Sequence, residues 1–351
     1  MRVLVTGHEG YIGVVLTDVF ARAGHEVVGL DAGWYRGCTF GAEPAAVESL
    51  SLDLRDVEPR HLEGFDAVVH LAAISNDPLA DLDPETTYDV NHRASVRLAR
   101  LAKRAGVGRF VFSSSCSLYG TADPGVLVDE DAPMRPITPY GESKVLVERD
   151  VSALADDHFS PVFLRNATVY GVSPRLRLDL VVNNLAGFAF TTGEVLVMSD
   201  GTPWRPLVHI EDVCRAFLAV VEAPRAAVHD EAFNVGRSEE NHQVSELADI
   251  VARAQPGSRV VYAPGGGPDP RTYRVDFSKL SRALPDLRMT WAVEAGVEEL
   301  VSAYAREGLS MNDVTGPRYT RIRRIQELKA AGRLDGALRW DRARAQARAM
   351  P

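Results

Sequence analysis

Short apolar segments alternate with helical patterns along the first part of the chain, up to Arg165. Apolar or β-branched runs at 2–5, 25–31, 67–73 and 109–114 predict strands, and the patterns at 11–23 and 95–105 predict helices. Nearly continuous apolar strands separated by helices are typical of a parallel sheet that is covered on both faces. The pattern therefore predicts an α/β fold with a doubly wound parallel sheet.

The pattern becomes irregular after Arg165, where proline and glycine cluster at 173–174, 201–206 and 264–270. Long loops of this kind often hold substrates, so we expect a second, smaller α+β lobe that binds the substrate. The last segment, 318–351, carries ten basic and three acidic residues, and Ile322, Ile325 and Leu328 form an apolar stripe on a predicted helix. This helix is predicted to pack on its own chain or on a second copy, with phosphate contact as the alternative.

The composition is that of a globular protein, with 46% hydrophobic and 25% charged residues. The apolar stretch at 67–74 is far shorter than the roughly 18 residues of a membrane span. The net charge of −9 argues against a nucleic-acid partner. The chain starts with a strand and a glycine turn rather than a signal peptide, and its three cysteines and nine histidines lack metal-ligand spacing. We therefore expect a cytoplasmic protein with no membrane segment, disulfide or metal site.

A glycine-rich turn directly follows the first predicted strand, and it reads Thr-Gly-His-Glu-Gly-Tyr-Ile-Gly. Gly7 permits a tight turn, Gly10 lets the backbone approach a pyrophosphate, and Gly13 allows close packing of helix on strand. Asp31 ends the second strand, where a carboxylate accepts the ribose hydroxyls of NAD and repels the 2′-phosphate of NADP. The pattern predicts an NAD site. Asp53 follows another short strand and would suit the adenine edge, with an ordinary polar turn as the alternative.

Tyr140 and Lys144 are four residues apart, which places a phenol and an ammonium on one face of a helix. A free phenol has a pKa of about 10 and is a poor base at neutral pH. A neighbouring lysine cation and the positive nicotinamide ring both favour the phenolate, which lowers that pKa. We therefore expect Tyr140 to act as a base.

A run of serines follows the predicted strand at 109–114 and includes Ser113, Ser114, Ser115 and Ser117. Their hydroxyls are expected at the carboxyl edge of the sheet, where ligands bind in doubly wound folds. A serine at that edge can donate to a sugar oxygen while Tyr140 takes the proton. Three separate elements are thus predicted to meet in one crevice.

With these motifs the sequence resembles the extended short-chain dehydrogenase/reductase family, in particular its nucleotide-sugar epimerases and dehydratases. The resemblance extends to about residue 305. It rests on the glycine turn, His70-Leu-Ala-Ala73, Asn91 in Val-Asn-His, the serine run, the Tyr140–Lys144 motif, Val169-Tyr-Gly171, Arg205 with His209-Ile-Glu-Asp212, and Phe233-Asn-Val-Gly236. It implies NAD(P) in the first lobe and a nucleoside-diphosphate sugar in the second.

The resemblance also implies roles for single residues. Ser115 is the catalytic hydroxyl, Tyr140 the base and Lys144 its partner. The residues assigned to the cofactor are Gly7, Gly10, Tyr11, Ile12, Gly13, Asp31, Asp53, Leu54, Leu71, Ala72, Ala73, Asn91, Tyr140 and Lys144. Those assigned to the substrate are Asn76, Ser115, Ser117, Thr168, Asn184, Leu185, Arg205, Arg271 and Tyr273.

The sequence departs from the family pattern at two substrate positions. Thr168 replaces the asparagine that usually precedes Val-Tyr-Gly. The arginine before the usual Pro-Gly-Asp segment is missing, and Arg271 or Arg274 is the candidate to replace it. The loop at 75–78 is predicted to touch the sugar, with a plain turn as the alternative.

The residues after Ser115 separate the branches of the family. The 4,6-dehydratases carry Asp-Glu there, and decarboxylating relatives usually carry a Glu in that pair. This chain has Cys116 and Ser117. The 3,5-epimerases place a catalytic cysteine where Ser117 stands, so we interpret Cys116, one position earlier, as a small packed residue. Simple removal and return of a hydride needs only Ser115, Tyr140 and Lys144.

The sequence therefore predicts an NAD-dependent epimerase of a nucleoside-diphosphate sugar that inverts C4 through a 4-keto intermediate. The alternatives are an NAD(P)-dependent ketoreductase or dehydrogenase of a sugar or nucleotide sugar, and a nucleotide-sensing protein without catalysis. The predicted NAD-binding Rossmann domain is 1–166, to which 206–236 returns. The substrate lobe comprises 167–205 and 237–310, and 311–351 is a basic helical tail. The family implies a homodimer formed through a pair of helices that would include the helix at 140–151.

Overall fold

A computed structural model describes residues 1–75, 77–123, 125–267, 269 and 271–341 of the chain. The elements up to residue 166 are β1 (Arg2–Thr6), α1 (Gly13–Arg22), β2 (Glu26–Asp31), β3 (Glu48–Ser51), β4 (Ala67–His70), α2 (Asp77–Ala80), α3 (Pro84–Tyr88), α4 (Ala94–Arg104), β5 (Arg109–Ser115), β6 (Leu127–Val128), α5 (Pro139–Ser152) and β7 (Ser160–Asn166). Those that follow are β8 (Thr168–Tyr170), α6 (Val181–Thr192), β9 (Glu194–Val197), β10 (Trp204–His209), α7 (Ile210–Glu222), α8 (Arg225–Val228), β11 (Glu231–Val235), β12 (Asn241–Gln243), α9 (Val244–Ala254), β13 (Arg259–Tyr262), β14 (Arg274–Val275), α10 (Ser278–Ala283), α11 (Val293–Glu307), α12 (Met311–Thr315) and α13 (Arg321–Ala330).

A seven-stranded sheet in the order β11-β7-β5-β4-β1-β2-β3 forms the centre of the first lobe. All of its strand pairs are parallel. One face packs on α1 and α7 through residues such as Phe20 and Phe217, and the other packs on α4 and α5 through Leu98 and Val147. The prediction of a doubly wound parallel sheet is confirmed.

The predicted strand at 67–73 is too long, because β4 ends at His70. Leu71, Ala72 and Ala73 leave the sheet at its carboxyl edge and line a cleft there. The same edge receives the end of β5, at Ser115. The sheet therefore brings the residues that follow several strands to one place.

A smaller α+β lobe adjoins the sheet, as predicted. It contains a three-stranded sheet in the order β12-β10-β8 and the parallel pair β13-β9. Helices α6, α9 and α11 supply its core, in which Leu185, Leu247 and Leu300 are buried. Long loops in this lobe border the cleft.

The chain passes between the two lobes more than once. Strand β11 pairs with β7 at the edge of the seven-stranded sheet, whereas β10 pairs with β8 and β12 in the smaller sheet. The return at 206–236 therefore starts in the small sheet and ends in the large one. The limits of the domains stay a prediction.

The C-terminal segment packs on its own chain. Ile325 and Leu328 of α13 lie in an apolar cluster with Ile74, Leu79 and Val90 of the first lobe. None of the helices in the described ranges is long and apolar enough to cross a membrane.

Candidate active site

A cleft of about 770 Å³ lies at the carboxyl edge of the central sheet, between the two lobes. The glycine turn and Asp31 line one part of it, Ser115 and Tyr140 the middle, and Arg205 the part formed by the smaller lobe. Segments far apart in sequence therefore meet at one surface.

The glycine turn forms a cradle in which side chains have no room. Gly7 has a positive φ of 76°, and a Cβ there would lie 2.7 Å from the backbone nitrogen of Ala72. A Cβ on Gly13 would lie 2.2 Å from the carbonyl oxygen of Gly7. The start of α1 thus packs directly against the turn, as phosphate-binding turns of doubly wound folds require.

Asp31 stands at the end of β2, beside this cradle. Its carboxylate accepts hydrogen bonds from the amides of Gly33, at 2.7 Å, and Glu9, at 3.2 Å. Burial raises the pKa of Asp31, and these two amides lower it. Arg36, the next cation along the chain, is held by Glu9 at 2.6 Å. The carboxylate therefore has no arginine partner of its own in this loop and can accept ribose hydroxyls.

Asp53 lines the cleft, but an arginine occupies its carboxylate. Arg55 contacts both carboxylate oxygens, at 2.9 and 2.7 Å. Burial by itself raises the pKa of Asp53, and the hydrogen bonds from Arg55 lower it overall. The geometry favours a polar turn that shapes the adenine end over a direct carboxylate contact.

The structure brings nearly all of the residues predicted for the cofactor to the cleft. Lining residues are Gly7, Gly10, Tyr11, Ile12, Gly13, Asp31, Asp53, Leu54, Leu71, Ala72, Ala73, Tyr140 and Lys144. Asn91 departs from the prediction, because it does not line the cleft. Its amide group bonds the backbone of Ile74 at 2.7 and 3.0 Å and donates to Ser143 at 3.2 Å. Asn91 therefore fastens the loop after β4 to α5.

The three consecutive serines have different surroundings. Ser113 accepts from Asn166 at 3.0 Å, and Ser114 donates to the buried carboxylate of Glu148 at 2.5 Å. The hydroxyl of Ser115 accepts from the amide of Ser117 and lies beside the Tyr140 phenol. The geometry thus selects Ser115 as the serine that can act together with Tyr140.

Burial controls the pKa values of the tyrosine and the lysine. It raises the pKa of Tyr140 to about 12, while the Ser115 hydroxyl and the charge of Arg177 act in the opposite direction. It lowers the pKa of Lys144 to about 7, against the attraction of Glu148. The Lys144 Nζ donates to the carbonyl of Ser113 at 2.7 Å and lies 5.4 Å from the centre of the Tyr140 ring. In the ligand-free site the phenol therefore stays protonated at neutral pH.

The buried Lys144 predicts a pH dependence of stability. Unfolded lysine has a pKa of about 10.4, so between about pH 7 and 10 the unfolded chain binds more protons than the folded one. The free energy of unfolding should therefore rise with pH across this window, by on the order of 2 to 4 kcal/mol, relative to Lys144→Met. Urea unfolding of both ligand-free proteins at several pH values measures this, with exposed Lys329→Met as the matched control. A constant difference between the wild type and Lys144→Met would contradict the prediction.

Charged residues from both lobes form a chain along the substrate side of the cleft. Arg205 donates to Asp269 at 2.7 Å, and Arg271 contacts Asp269 at 2.6 Å and Asp77 at 2.5 Å. Burial lowers the pKa of Arg205, against the attraction of Asp269. Two guanidiniums thus line this side of the cleft, each held in place by carboxylates. Arg274 lies instead over the ring of Trp204 at 4.8 Å, so Arg271 is the better replacement for the family's missing arginine.

The other predicted substrate residues also reach the cleft, and the lining residues among them are Ser115, Ser117, Thr168, Asn184, Leu185 and Tyr273. Asn184 donates its amide to the carbonyl of Leu178 at 2.7 Å. The Ser117 hydroxyl and the Asn166 Oδ1 are buried, and in the described part of the chain neither has a hydrogen-bond partner. Both residues line the cleft. Asn76 lies outside the described residues.

Cys116 is a packed residue, as interpreted. Its side chain is 1% exposed, and its Sγ donates to the carbonyl of Arg165 at 3.1 Å. Burial raises the pKa of this thiol well above its usual range. Cys116 is therefore turned away from the cleft.

Sequence reasoning missed an ion pair in the cleft. Arg177 contacts both oxygens of Asp179, at 2.9 and 3.1 Å, and also donates to Ser75 at 3.2 Å. Both charged side chains are about nine-tenths buried. Their position shortly after Val169-Tyr-Gly171 was the only available signal.

Further lining residues escaped prediction, among them Trp34, Tyr35, Arg321 and Ile322. Trp34 and Tyr35 follow shortly after Asp31 in the sequence, and this position could have indicated that they line the cleft. No pattern in the sequence places 321 and 322 beside residue 35, although the Arg321 guanidinium lies 3.8 Å from the centre of the Tyr35 ring.

Comparison with known proteins agrees with this geometry. Residues 3–236 match the NAD dependent epimerase/dehydratase family. A UDP-glucose 4-epimerase of Lactobacillus helveticus is 30% identical, with 81% of this chain and 91% of that protein aligned. One from Mycolicibacterium smegmatis is 32% identical over 81% of this chain and 92% of its own length.

Solved structures show the same fold. The crystal structure of UDP-glucose 4-epimerase from Thermus thermophilus in complex with NAD superposes with a TM-score of 0.75 at 27% identity. The superposition covers 87% of this chain and 99% of that one. From the match over residues 3–236 and these similarities, the chain belongs to the NAD dependent epimerase/dehydratase family.

Proposed function

We propose that this protein is an NAD-dependent epimerase of a nucleoside-diphosphate sugar that inverts C4. The observation that carries the proposal is the placement of Ser115, Tyr140 and Lys144 next to the glycine cradle and Asp31. The cradle leaves no room for side chains, and Asp31 suits two ribose hydroxyls, so these residues fit NAD.

The glycine cradle and Asp31 would hold NAD, which would supply the acceptor and donor of the hydride of the sugar carbon. Tyr140 takes the proton of the 4-hydroxyl, and Ser115 donates a hydrogen bond to the same oxygen. Lys144 holds the backbone of Ser113 and, when protonated, stabilises the phenolate. A positive charge on the bound cofactor acts in the same direction and opposes the effect of burial on Tyr140.

The acid–base pair needed for elimination is missing beside Ser115. Cys116 faces the protein interior, and the side chain of Ser117 carries a hydroxyl rather than a carboxylate. Each carboxylate that lines the described cleft is already engaged by a guanidinium or by backbone amides; these are Asp31, Asp53, Asp77, Asp179 and Asp269. This supports hydride removal and return over dehydration.

The substrate's diphosphate would lie on the side of the cleft that carries Arg205 and Arg271. Guanidiniums bind phosphate oxygens in a bidentate manner. The sugar would lie near Tyr140, within reach of Thr168 and of the Ser117 hydroxyl. UDP-glucose is the first substrate to test, because the relatives are named for it.

Incubation with a panel of nucleotide sugars without added cofactor tests the proposal. We expect chromatography to show an equilibrium mixture of one sugar and its C4 epimer. Products that form only when NAD(P) or NAD(P)H is supplied in stoichiometric amounts would favour the dehydrogenase or ketoreductase instead.

The loop after β2 predicts the choice of cofactor. We expect NAD to bind at least about tenfold more tightly than NADP, because the Asp31 carboxylate repels a 2′-phosphate. Calorimetric titration of apo-protein with both cofactors measures the ratio, and Asp31→Asn should reduce it. Tighter binding of NADP to the wild type would refute the prediction.

We also propose a cytoplasmic homodimer. Its interface would be formed by α4 and α5, which pack on the same face of the central sheet. The three cysteines are buried and free, which suits a reducing compartment. Light scattering of the purified protein tests the dimer.

A further inference from the structure

The segment 321–341, which we name the C-terminal clasp, lies against the part of the cleft that contains Asp31. It comprises α13 and the residues after it, up to the last described position. Arg321 and Ile322 line the main cleft, and Arg321 is only 3% exposed. Arg321 also donates to the carbonyl of Arg175, at 3.2 Å. A segment that follows both lobes in sequence thus supplies part of the wall of the site.

A second cavity, of about 790 Å³, lies under the end of the clasp. Residues between 51 and 56 form one side of it, and residues between 332 and 341 form the other. Ala32, Leu52 and Asp53 line both this cavity and the main cleft. The second cavity is therefore the continuation of the cofactor cleft beyond Asp31.

Polar contacts fasten the end of the clasp to the loops that follow β2 and β3. The indole nitrogen of Trp340 donates to the carbonyl of Ala32, the residue after Asp31. Arg339 contacts both carboxylate oxygens of Asp56 at 2.9 Å. These contacts bridge the two sides of the second cavity.

An apolar cluster attaches both the beginning and the end of the clasp. Ile325 is fully buried and Leu328 is 1% exposed, in the cluster that contains Ile74 and Val90. Leu334 and Leu338, near the end of the clasp, are buried in the same cluster, at 4% and 6% exposed, and Trp340 packs against it. The contacts of Arg339 and Trp340 therefore close the end of a segment that the first lobe holds along its length.

We propose that the clasp closes over the adenosine half of bound NAD and retains the cofactor between turnovers. The acid at the end of the second strand binds the adenosine ribose, and the cavity beyond it is the one that the clasp covers. Because release requires the contacts at 332–341 to break, the clasp acts on the dissociation rate of NAD. The inference rests on the NAD site of the proposed function, and it is independent of the sugar reaction.

Dissociation of NADH, displaced by excess NAD and followed by nicotinamide fluorescence, tests the clasp directly. Trp340→Ala should raise the dissociation rate at least about tenfold, and Arg339→Gln should raise it by a smaller factor. The matched control is Arg259→Gln, which breaks an exposed ion pair with Glu194 outside the cleft and should leave the rate unchanged. Wild-type dissociation rates in both clasp variants would overturn the proposal.

Hydrogen exchange of the wild-type protein provides a second test that needs no variant. Saturation with NADH should slow exchange of the amides at 332–341, because the closed clasp is selected by the ligand. Unchanged exchange at 332–341 would overturn the proposal even if the Trp340 variant failed to fold. Neither measurement uses a sugar, so failure of the clasp is distinguishable from failure of the epimerase proposal.

Discussion

Tyr140→Phe is expected to lower turnover by about 10²- to 10⁴-fold, the range of general-base catalysis, with nearly unchanged binding of the nucleotide sugar. The substitution removes one oxygen atom from a residue that lies beside Ser115 and lines the cleft. It leaves the aromatic ring, the glycine cradle and the arginines of the smaller lobe in place. The loss should therefore appear in kcat, with little change in the Kd of the sugar nucleotide measured by calorimetry.

The pH profile distinguishes a base from a packing residue. Burial holds the pKa of Tyr140 at about 12 in the ligand-free site, so activity of the wild type should rise with pH until the phenol of the complex has ionised. This rise should be absent from the residual activity of Tyr140→Phe. Tyr262→Phe, which alters an exposed tyrosine of β13, is the matched control. Retained activity in Tyr140→Phe would mean that the proton leaves by another route.

Local pattern was sufficient to predict the main sheet and its edge. The predicted helix at 95–105 and strand at 109–114 differ from α4 and β5 by no more than one residue at either end. Because parallel strands place their carboxyl ends at one edge, the meeting of Gly7, Asp31 and Ser115 could be predicted from the strands that they follow or end. Both predictions depend on the short-range hydrophobic pattern and on the rule that parallel strands end at the same edge of a sheet.

The parts that sequence could not predict depend on contacts between distant segments. The amide of Asn91 is occupied by the backbone of Ile74, in the loop after β4. No spacing in the sequence implies this partner. The meeting of Arg321 with Tyr35 joins residues from opposite ends of the chain, and no local pattern encodes it.

The pKa values of Tyr140 and Lys144 also could not be predicted from the sequence. The sequence shows that Lys144 is one turn from Tyr140, which suggests a lowered phenol pKa. It does not show how deeply the pair is buried, and burial has the larger effect on both groups. In the proposed mechanism the positive charge of bound NAD would lower the pKa of the phenol, which would link proton removal to the oxidised state of NAD.

We also expect the reaction to be redox-neutral overall, so that it consumes no cofactor. We expect purified protein that retains NAD to complete many turnovers per site while the absorbance of reduced nicotinamide shows no cumulative change. In the proposed reaction the hydride removed from C4 would stay in a site that the clasp borders, and it would return to either face of a ketone that turns over between transfers. NAD then acts as a catalyst rather than as a substrate.

Substrate deuterated at C4 makes the expectation quantitative. In an epimerase the label returns to C4, so the product should keep nearly all of its deuterium, even in the presence of excess unlabelled NADH in solution. A dehydrogenase would transfer the label to a cofactor that exchanges with the pool, and its keto product would carry no label at C4. Mass spectrometry of the sugar products decides between the two. Cumulative formation or loss of NADH together with loss of the label would refute the epimerase and establish net redox chemistry, because Ser115, Tyr140 and Lys144 can serve either reaction.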